Sequence, residues 1–264
     1  MNCRIELNKS YLYADALETF MRDLERNFDS QGELLAANGR NIIKSFDLKV
    51  NGCQDEKIVV KYFRLKNIFQ KILYSYVVSS KAKRAFDNGL KLIAAGCSTP
   101  MPMAYGEIWK RGILQSCYYV TACTMDVSVR TLLEEQFDKP LARAFAKFIA
   151  RLHEHGLVHH DLNFSNVLYH QDEDGYVISV IDINRMTMMS PARLSLRTCK
   201  DDFVRWTDRK DLFEFVIREY AEARGLDIER VLALVSAMKM KHDKAWKRRK
   251  RFTGQLKKWV GIKG

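Results

Sequence analysis

The chain has 264 residues, of which 47% are hydrophobic and 11% aromatic, with 13 Gly and 4 Pro. This composition excludes long disorder and fibrous repeats, and the length is sufficient for one or two domains with a hydrophobic core. The 44 Lys and Arg exceed the 32 Asp and Glu, and the formal net charge of +12 favours a polyanionic partner such as nucleic acid, phospholipid headgroups or a phosphorylated glycan.

The six cysteines are scattered along the chain without a C-x-x-C pair. This usage is typical of a reduced cytosolic protein. The N-terminal residues mix charged and apolar side chains, so no signal peptide is predicted. No stretch approaches 18 consecutive apolar residues, and the sequence therefore predicts no membrane span.

The predicted elements form a sheet-rich first half and a helix-rich second half, which join near residues 122–130. Spacing of apolar residues and strand-type composition in the first half predict helices at 12–24 and 80–95 and strands at 42–46, 57–63 and 113–121. Asn38-Gly39 supplies a tight turn before the first of these strands. The second half is predicted to contain helices at 141–155, 211–224 and 228–241 and strands at 166–169 and 176–183.

A group of polar residues with a defined spacing lies between these later elements. Asp161 stands five residues before Asn166, and a second apolar strand ends at Asp182, sixteen residues further on. This order is the H-x-D-x-x-x-x-N … D layout of phosphotransferases with the protein-kinase fold. There, one carboxylate accepts the proton of an attacking hydroxyl, while an amide oxygen and a second carboxylate hold Mg²⁺. We therefore predict Asp161 as the catalytic residue and Asn166 and Asp182 as metal ligands.

The predicted strand at 57–63 contains a candidate phosphate-binding lysine. Lys61 follows a hydrophobic-x-hydrophobic pattern, 100 residues before Asp161, as does the lysine that contacts the α- and β-phosphates of ATP. Asp87 is the best-placed acid on the following helix to pair with Lys61. The alternative is that Asp87 is a solvated helix residue.

No G-x-G-x-x-G loop precedes Lys61. Backbone amides around Gly39, Arg40 and Asn41 are therefore expected to cover the phosphates instead.

Four of the six histidines lie close together, at 153, 155, 159 and 160. A zinc site is one interpretation, but the spacing matches neither H-E-x-x-H nor a Cys/His site. In the kinase-loop interpretation, which we favour, His159 is a structural residue whose ring bonds the backbone and packs beneath the catalytic loop.

At these residues the chain resembles the lipopolysaccharide core kinase family, the bacterial enzymes that phosphorylate Kdo or heptose on the core sugar linked to lipid A. The resemblance covers roughly residues 28–220. It is carried by Asn38-Gly39-Arg40-Asn41, Lys61, Ser80-Lys81-Ala82, Ser98-Thr99-Pro100, the segment from His159 to Asn166, and Ile181-Asp182-Ile183-Asn184-Arg185.

Several departures from protein kinases agree with this resemblance. Asn163 stands two residues after Asp161, where protein kinases usually carry Lys, and His160 replaces the usual Arg. No A-P-E motif follows Asp182, so regulation through an activation loop is not expected. A small RIO-like protein kinase is the alternative enzyme. A pseudokinase-like module with a basic tail is the alternative without catalysis.

The positive charge is concentrated at the C-terminal end. Residues 239–264 contain eleven Lys and Arg against the single acid Asp243, a net charge of +10 out of the total +12. Apolar residues in this tail fall at helical spacing, at Phe252, Leu256, Trp259 and Val260. Such a helix would lie in an anionic membrane interface, and the alternative is a tail that is solvated or docked on the helical lobe.

Together these patterns predict an α+β, two-lobed protein-kinase-like fold with a β-sheet-rich N-lobe and a helical C-lobe. The expected parts are an N-terminal helical extension (1–29), the N-lobe (30–124), the C-lobe (125–238) and the basic tail (239–264). The resemblance implies phosphorylation of a Kdo or heptose hydroxyl on the lipopolysaccharide inner core, with ATP and Mg²⁺ as cofactors. It also implies a glycolipid acceptor at the cytoplasmic face of the inner membrane, and no nucleic-acid partner is expected.

Overall fold

The structure is a computed structural model that describes residues 2–12, 14–39, 41–50, 54–65 and 67–259, with side chains up to residue 251. The chain divides into two compact units. The first unit comprises Met1–Val127, Leu168–His170 and Ser179–Met186. The second unit comprises Ser128–Val167, Gln171–Ile178 and Thr187–Gly264.

The first unit is built on an antiparallel six-stranded sheet with the order β1-β5-β6-β4-β3-β2. Its strands are β1 (Asn2–Leu7), β2 (Glu33–Asn38), β3 (Asn41–Leu48), β4 (Glu56–Arg64), β5 (Pro102–Lys110) and β6 (Ile113–Ala122). Its helices are α1 (Ala14–Arg22), α2 (Leu24–Ser30), α3 (Ile68–Tyr76) and α4 (Lys81–Ala94).

The N-terminal residues differ from the predicted helical extension over 1–29. Asn2–Leu7 is an edge strand that pairs with β5, with Ile5 opposite Gly106. Its polar and apolar residues alternate, which is the period-two pattern of a half-buried strand. The segment is short and contains charges of both signs, so the alternation was not recognised as a strand in the sequence.

Helices α1 and α2 cover one face of the sheet. Leu17 and Met21 of α1, with Phe28 of α2, are buried in one hydrophobic cluster with Ile58 and Val120 of the sheet. A single helix is predicted over residues 12–24, but the structure has a break at residue 23, which separates α1 from α2. Burial of each large apolar side chain contributes about 1.5–3 kcal/mol, so this cluster holds the helix pair against the sheet.

Strand β5 and helix α3 of the first unit were also not predicted. β5 follows directly after the proline-containing connector and is buried along most of its length. α3 has no buried residue, so it lacks the apolar core-facing stripe by which helices are usually recognised.

The second unit is mainly helical. Its helices are α5 (Lys139–Glu154), α6 (Lys200–Val204), α7 (Lys210–Ala223) and α8 (Ile228–Trp259), preceded by a π-helical turn at Thr131–Gln136. The short strands of the later chain are β7 (Val127–Ser128), β8 (Leu157–Val158), β9 (Val167–Asp172), β10 (Gly175–Val180) and β11 (Thr187–Met188), with sheet orders β10-β9-β7 and β11-β8. Two 3₁₀ turns occupy Ile183–Arg185 and Pro191–Arg193.

Aromatic packing forms the centre of the second unit. The ring of Phe145 on α5 meets the rings of Phe164 and Trp206 edge to face, at centroid distances of 5.7 and 5.6 Å. Phe203 of α6 meets Tyr220 of α7 at 5.0 Å. Each such pair adds about 0.5–1.5 kcal/mol beyond the burial of its area. These pairs therefore fix the loop that contains Phe164 to α5, and they fix α6 to α7.

Helix α8 is longer than the predicted helix at 228–241, since it continues to Trp259. Val231 and Val235 are buried, whereas the side chains from Lys244 to Arg251 are exposed. Across the described part of the chain, no helix combines the length and the apolar character needed to cross a membrane.

Candidate functional site

The first unit joins Lys61 to Asp182, which are far apart in sequence. Lys61 lies on β4 between its partners Ile43 on β3 and Tyr119 on β6. Its Nζ atom donates to Asp182 Oδ1 at 2.5 Å, and the two side chains are 17% and 32% exposed. A cation and a carboxylate are thus held together in a partly desolvated place, where charge interactions are stronger than in bulk water.

The backbone at Asp182 has a conformation that residues other than glycine rarely adopt. Its φ is 60°, in the left-handed region, and the 3₁₀ turn Ile183–Arg185 follows it. Asn184 donates from Nδ2 to the same Asp182 Oδ1 atom at 2.7 Å. Such backbone strain costs about 1–3 kcal/mol and is concentrated at functional sites.

Asn88 on α4 holds this turn in place. Its buried Nδ2 group donates to the carbonyl oxygens of Ile183 at 2.8 Å and Met186 at 3.0 Å. The amide of one helix residue therefore determines the position of Asp182. The sequence analysis did not single out Asn88, since its partners lie 95 and 98 residues away.

A mainly apolar cavity of about 250 Å³ lies beside the Lys61–Asp182 pair within the first unit. Its lining includes Leu35, Ile43, Val59, Phe63, Ala85, Thr99, Pro100, Tyr119, Thr121, Leu168, Ile181 and Ile183. Among the described residues, the buried Tyr119 hydroxyl has no hydrogen-bond partner. Burial raises the pKa of Tyr119, so the hydroxyl is a neutral donor or acceptor available to a bound molecule.

The predicted phosphate-covering loop is the turn between β2 and β3. Gly39 has φ 48°, which the turn requires, and Asn38 Oδ1 accepts from the backbone N–H of Asn41 at 3.3 Å. Asn41 Oδ1 is a second buried atom with no partner among the described residues. Arg40 lies outside the described residues.

The pair between Lys61 and Asp87, one of the two interpretations of Asp87, is not formed among the described contacts. Among the described contacts, Asp87 Oδ2 lies 3.2 Å from Lys83 Nζ, one helical turn earlier on α4, while Lys61 bonds Asp182. The i,i+4 spacing brings Lys83 and Asp87 together along the helix surface, so Asp87 is satisfied locally.

The second unit contains Asp161 and Asn166 on one loop between β8 and β9. Asn166 Nδ2 donates to the Asp161 carbonyl oxygen at 2.9 Å, and the backbone N–H of Asn163 donates to the same oxygen at 3.0 Å. Asp161 N–H donates to the buried His159 ring at 3.3 Å, as predicted for this histidine. Arg205 Nη1 lies 3.5 Å from Asp161 Oδ1, so a cation accompanies the carboxylate.

The backbone of this loop is fixed by Asp202 of α6. This fully buried carboxylate accepts the backbone N–H groups of His159 and His160, each at 2.7 Å. Burial alone would raise the pKa of Asp202, but hydrogen bonds and charge from His153 and His159 outweigh burial and hold the pKa below its ordinary value. Asp202 thus remains charged and anchors the chain immediately before Asp161.

Asp202 was not identified from the sequence, because it lies about 40 residues beyond the loop that it binds. The sequence feature that could have indicated this residue is the pair Asp201-Asp202, which directly precedes the apolar residues Phe203 and Val204.

The clustered histidines occupy separate environments in the second unit. His153 Nδ1 lies 2.9 Å from the Tyr220 hydroxyl, His155 Nδ1 donates to the Arg151 carbonyl, and His160 Nε2 lies 2.7 Å from Thr187 Oγ1. Among the described residues, no group of three or more His, Cys, Asp or Glu is arranged to hold a metal ion.

The structure thus brings Lys61 and Asp182 together beside a cavity in the first unit, and Asp161 and Asn166 together on one loop of the second unit. A sheet unit with a lysine–carboxylate pair, combined with a helical unit carrying an Asp–Asn loop, defines a phosphotransferase of the protein-kinase-like fold class.

Comparisons with known proteins identify the family. Residues 30–206 match the lipopolysaccharide kinase (Kdo/WaaP) family, and the chain belongs to this family. It is therefore a kinase of lipopolysaccharide biosynthesis. Comparison with curated protein sequences finds no match.

One solved structure shows the same fold. WaaP in complex with acyl carrier protein shares 19% sequence identity and a TM-score of 0.63, covering 91% of this chain and 98% of that chain. The Rio2 kinase–ADP/Mg²⁺–phosphoaspartate complex from Chaetomium thermophilum shares 18% identity and a TM-score of 0.45, covering 90% of this chain and 82% of that chain.

Proposed function

We propose that this kinase transfers the γ-phosphate of Mg²⁺-bound ATP to a Kdo or heptose hydroxyl of the lipopolysaccharide inner core. The observation that carries the proposal is the Lys61–Asp182 pair at the edge of an apolar cavity. The first unit would be the nucleotide-binding lobe and the second unit the acceptor-binding lobe.

The residues of the first unit fit a nucleotide. The apolar lining of the cavity suits a purine base, and the buried Tyr119 hydroxyl without a partner offers that base a hydrogen bond. Lys61 would contact the α- and β-phosphates, and the turn at Gly39, Arg40 and Asn41 would cover them. The loop is short, so its backbone N–H groups would supply the remaining donors.

Asn166 and Asp182 would hold the metal ion. Both offer oxygen atoms, which Mg²⁺ prefers, and the hydrogen bond from Asn166 Nδ2 to Asp161 leaves its amide oxygen facing away from that bond. When bound, Mg²⁺ would neutralise the charge that develops on the phosphate oxygens. Asp182 would exchange part of its contact with Lys61 for this ion, since both bind the carboxylate.

Asp161 would orient the acceptor hydroxyl and accept its proton. Its main chain is fixed by Asn166 and by the His159 ring, and its carboxylate lies beside Arg205. Because the transition state of phosphoryl transfer is loose, the rate depends mainly on such positioning and on charge neutralisation.

The C-terminal part of α8 would contact the anionic surface of the inner membrane on its cytoplasmic face. The exposed side chains from Lys244 to Arg251 include six Lys or Arg and no acid, at positions 244, 247, 248, 249, 250 and 251. Each basic residue near an anionic leaflet contributes about 1 kcal/mol, so this group would retain the enzyme near a lipid-anchored sugar. The apolar tail residues Phe252, Leu256, Trp259 and Val260 have no described side chains.

Phosphate transfer from labelled ATP to Kdo-lipid A tests the proposal. We expect wild-type protein to label the glycolipid and Asp161→Asn to lower kcat by about 10²–10⁴-fold, the contribution of general-base catalysis. Asp174→Asn, at an exposed aspartate in the turn between β9 and β10, is the matched control and should retain most of the activity. Label in purified protein rather than glycolipid would instead indicate a RIO-like protein kinase, and mass spectrometry of the core sugar would identify the hydroxyl.

A further inference from the structure

Helix α3 has an unusual orientation on the first unit. Its inward side chains are polar: Lys71 Nζ donates to Gln115 Oε1 at 2.5 Å, and Ser75 Oγ accepts from the backbone N–H of Leu114 at 2.8 Å. Tyr76 adds a hydrogen bond from its hydroxyl to the Gly112 carbonyl at 3.0 Å. The helix is therefore fastened to the sheet by polar groups.

The opposite face of α3 is apolar and open to solvent. Phe69 is 81% exposed and Val77 is 73% exposed. They belong to an apolar ridge, which we define as Ile68, Phe69, Ile72, Leu73, Tyr76 and Val77. This spacing of i, i+1, i+4, i+5, i+8 and i+9 places all six on one side of a helix. An exposed contiguous apolar face of this kind marks an interaction surface.

The charge beside α3 bears on the choice of partner. Residues 57–86 contain no acidic residue. The Arg84 guanidinium lies 5.7 Å from the centre of the Tyr74 ring of α3, and Arg64 lines a surface depression together with Lys71 and Gln115. Exposed Lys110 and Arg111 directly precede Gly112, which bonds Tyr76 at the C-terminal end of α3. An apolar helix face with a basic rim matches the boundary between the anionic headgroups and the acyl chains of a membrane.

A second copy of the chain fits this surface less well. Two ridges that faced each other would bring the cations beside one ridge close to the cations beside the other, and such like-charge contact is unfavourable. An anionic bilayer offers both an apolar layer and negative charge.

We infer that the apolar ridge of α3 inserts into the anionic membrane that holds the acceptor glycolipid. The inference rests on the proposed function, because a lipid-anchored acceptor explains why a kinase would bury this face in lipid. Phe69 and Val77 would enter the acyl region, while the polar face remains bound to β6. This contact is additional to the one proposed for α8.

Flotation with vesicles tests the inference on the full chain. The variant Phe69→Ser/Val77→Ser removes the two most exposed aliphatic or phenyl side chains of the ridge without disturbing buried residues. Leu12→Ser/Met125→Ser is a matched control, since those side chains are 82% and 92% exposed elsewhere on the first unit. With vesicles of phosphatidylethanolamine and phosphatidylglycerol, we expect the ridge variant to bind about tenfold more weakly and the control to bind within about twofold of wild type.

Hydrogen exchange provides a local readout. Amides of residues 68–78 should gain protection when anionic vesicles are added and should gain none with phosphatidylcholine vesicles. Equal vesicle binding by wild type and the ridge variant would overturn the inference. So would a wild-type dimer that the ridge variant abolishes, because the ridge would then be an interface between copies.

Two acceptors separate this inference from the proposed function. The ridge variant should phosphorylate a deacylated, water-soluble core oligosaccharide as wild type does and should label the glycolipid in vesicles about tenfold less. A wild-type chain that binds vesicles through α3 but labels neither acceptor would contradict the proposed function and still support the membrane contact.

Discussion

The buried Asp202 carboxylate accepts the backbone N–H of His160 at 2.7 Å, and His160 has a left-handed φ of 65°. Histidine rarely adopts this conformation, so the residue immediately before Asp161 is held in a strained backbone state. A single buried charge on α6 thus determines the direction in which the chain enters the loop that contains Asp161. The same carboxylate also accepts the N–H of His159, which makes it the anchor of two consecutive residues.

Replacing this anchor should weaken both the fold and the reaction. We expect Asp202→Asn to lower the free energy of unfolding by about 3 kcal/mol, because an amide directs a donor at one of two buried N–H groups and loses the charge-assisted bonds. Urea unfolding at pH 7 measures the loss. Asp201→Asn should change stability by at most about 0.5 kcal/mol. Equal unfolding midpoints and slopes for the two variants would argue against an anchoring role for Asp202.

The stability of the protein in acid should depend on the same carboxylate. The folded pKa of Asp202 is lower than its ordinary value of 3.8, so its stabilisation is complete above that value and is lost as the pH falls through the lower folded pKa. We expect wild type to lose stability steeply below about pH 4 and Asp202→Asn to show a shallower slope there. Unfolding curves between pH 5 and pH 2.5 compare the slopes. Parallel curves would show that other carboxylates govern acid unfolding.

Gly89 on α4 is expected to resist replacement by alanine. A Cβ atom there would overlap the Pro102 ring and approach the Tyr119 hydroxyl and Ile183 Cδ1 at 3.1 and 3.3 Å. Alanine within a helix normally stabilises by about 0.5–1 kcal/mol relative to glycine, but this crowding should instead destabilise by about 1–3 kcal/mol. Because Tyr119 and Ile183 line the cavity, nucleotide affinity should fall as well.

Gly96→Ala is the control for this prediction. Gly96 has φ 65° and open space around the added atom, so alanine there should cost about 1–2 kcal/mol through the backbone alone. Calorimetric titration with ATP should show weaker binding for Gly89→Ala and unchanged binding for Gly96→Ala. Unchanged nucleotide affinity in both variants would exclude the cavity as the nucleotide site.

Lys61 should be required for nucleotide use rather than for folding. We expect Lys61→Met to reduce kcat/KM for ATP by about 10²-fold or more, since a phosphate-binding cation is lost from a partly desolvated site. Lys57→Met on the same strand is a matched control, because Lys57 is about half exposed and pairs with Glu33. Steady-state kinetics on the two variants, with thermal unfolding to verify folding, measures the difference. Similar kinetics for both would remove Lys61 from the site.

Short-range patterns predicted much of this architecture. The strand around Lys61 and the helices α4, α5 and α7 were recognised from period and composition, because their apolar faces are buried in the core. Helix α3 was not predicted because its apolar face points outward, and β1 was not predicted because it is a short edge strand.

Contacts between residues far apart in the sequence could not be predicted from such patterns. Residue order makes Asp87 a candidate partner of Lys61, with a solvated helix position as the alternative, yet Asp87 has a closer cation on its own helix. Asn88 and Asp202 act on loops 95 and about 40 residues away. Pairing across such separations depends on how the elements pack, which residue order does not specify.

The sequence by itself determined the class of this protein, since the spacing of Asp161, Asn166 and Asp182 and the basic C-terminal segment are properties of residue order. Only the tertiary structure decided which groups hold these residues: Asp202 anchors the backbone before Asp161, and Asn88 anchors the turn after Asp182. It also decided that α3 presents its apolar face to solvent. The physical reason is that local chemistry selects residue types, whereas burial and long-range hydrogen bonds arise only when distant segments meet.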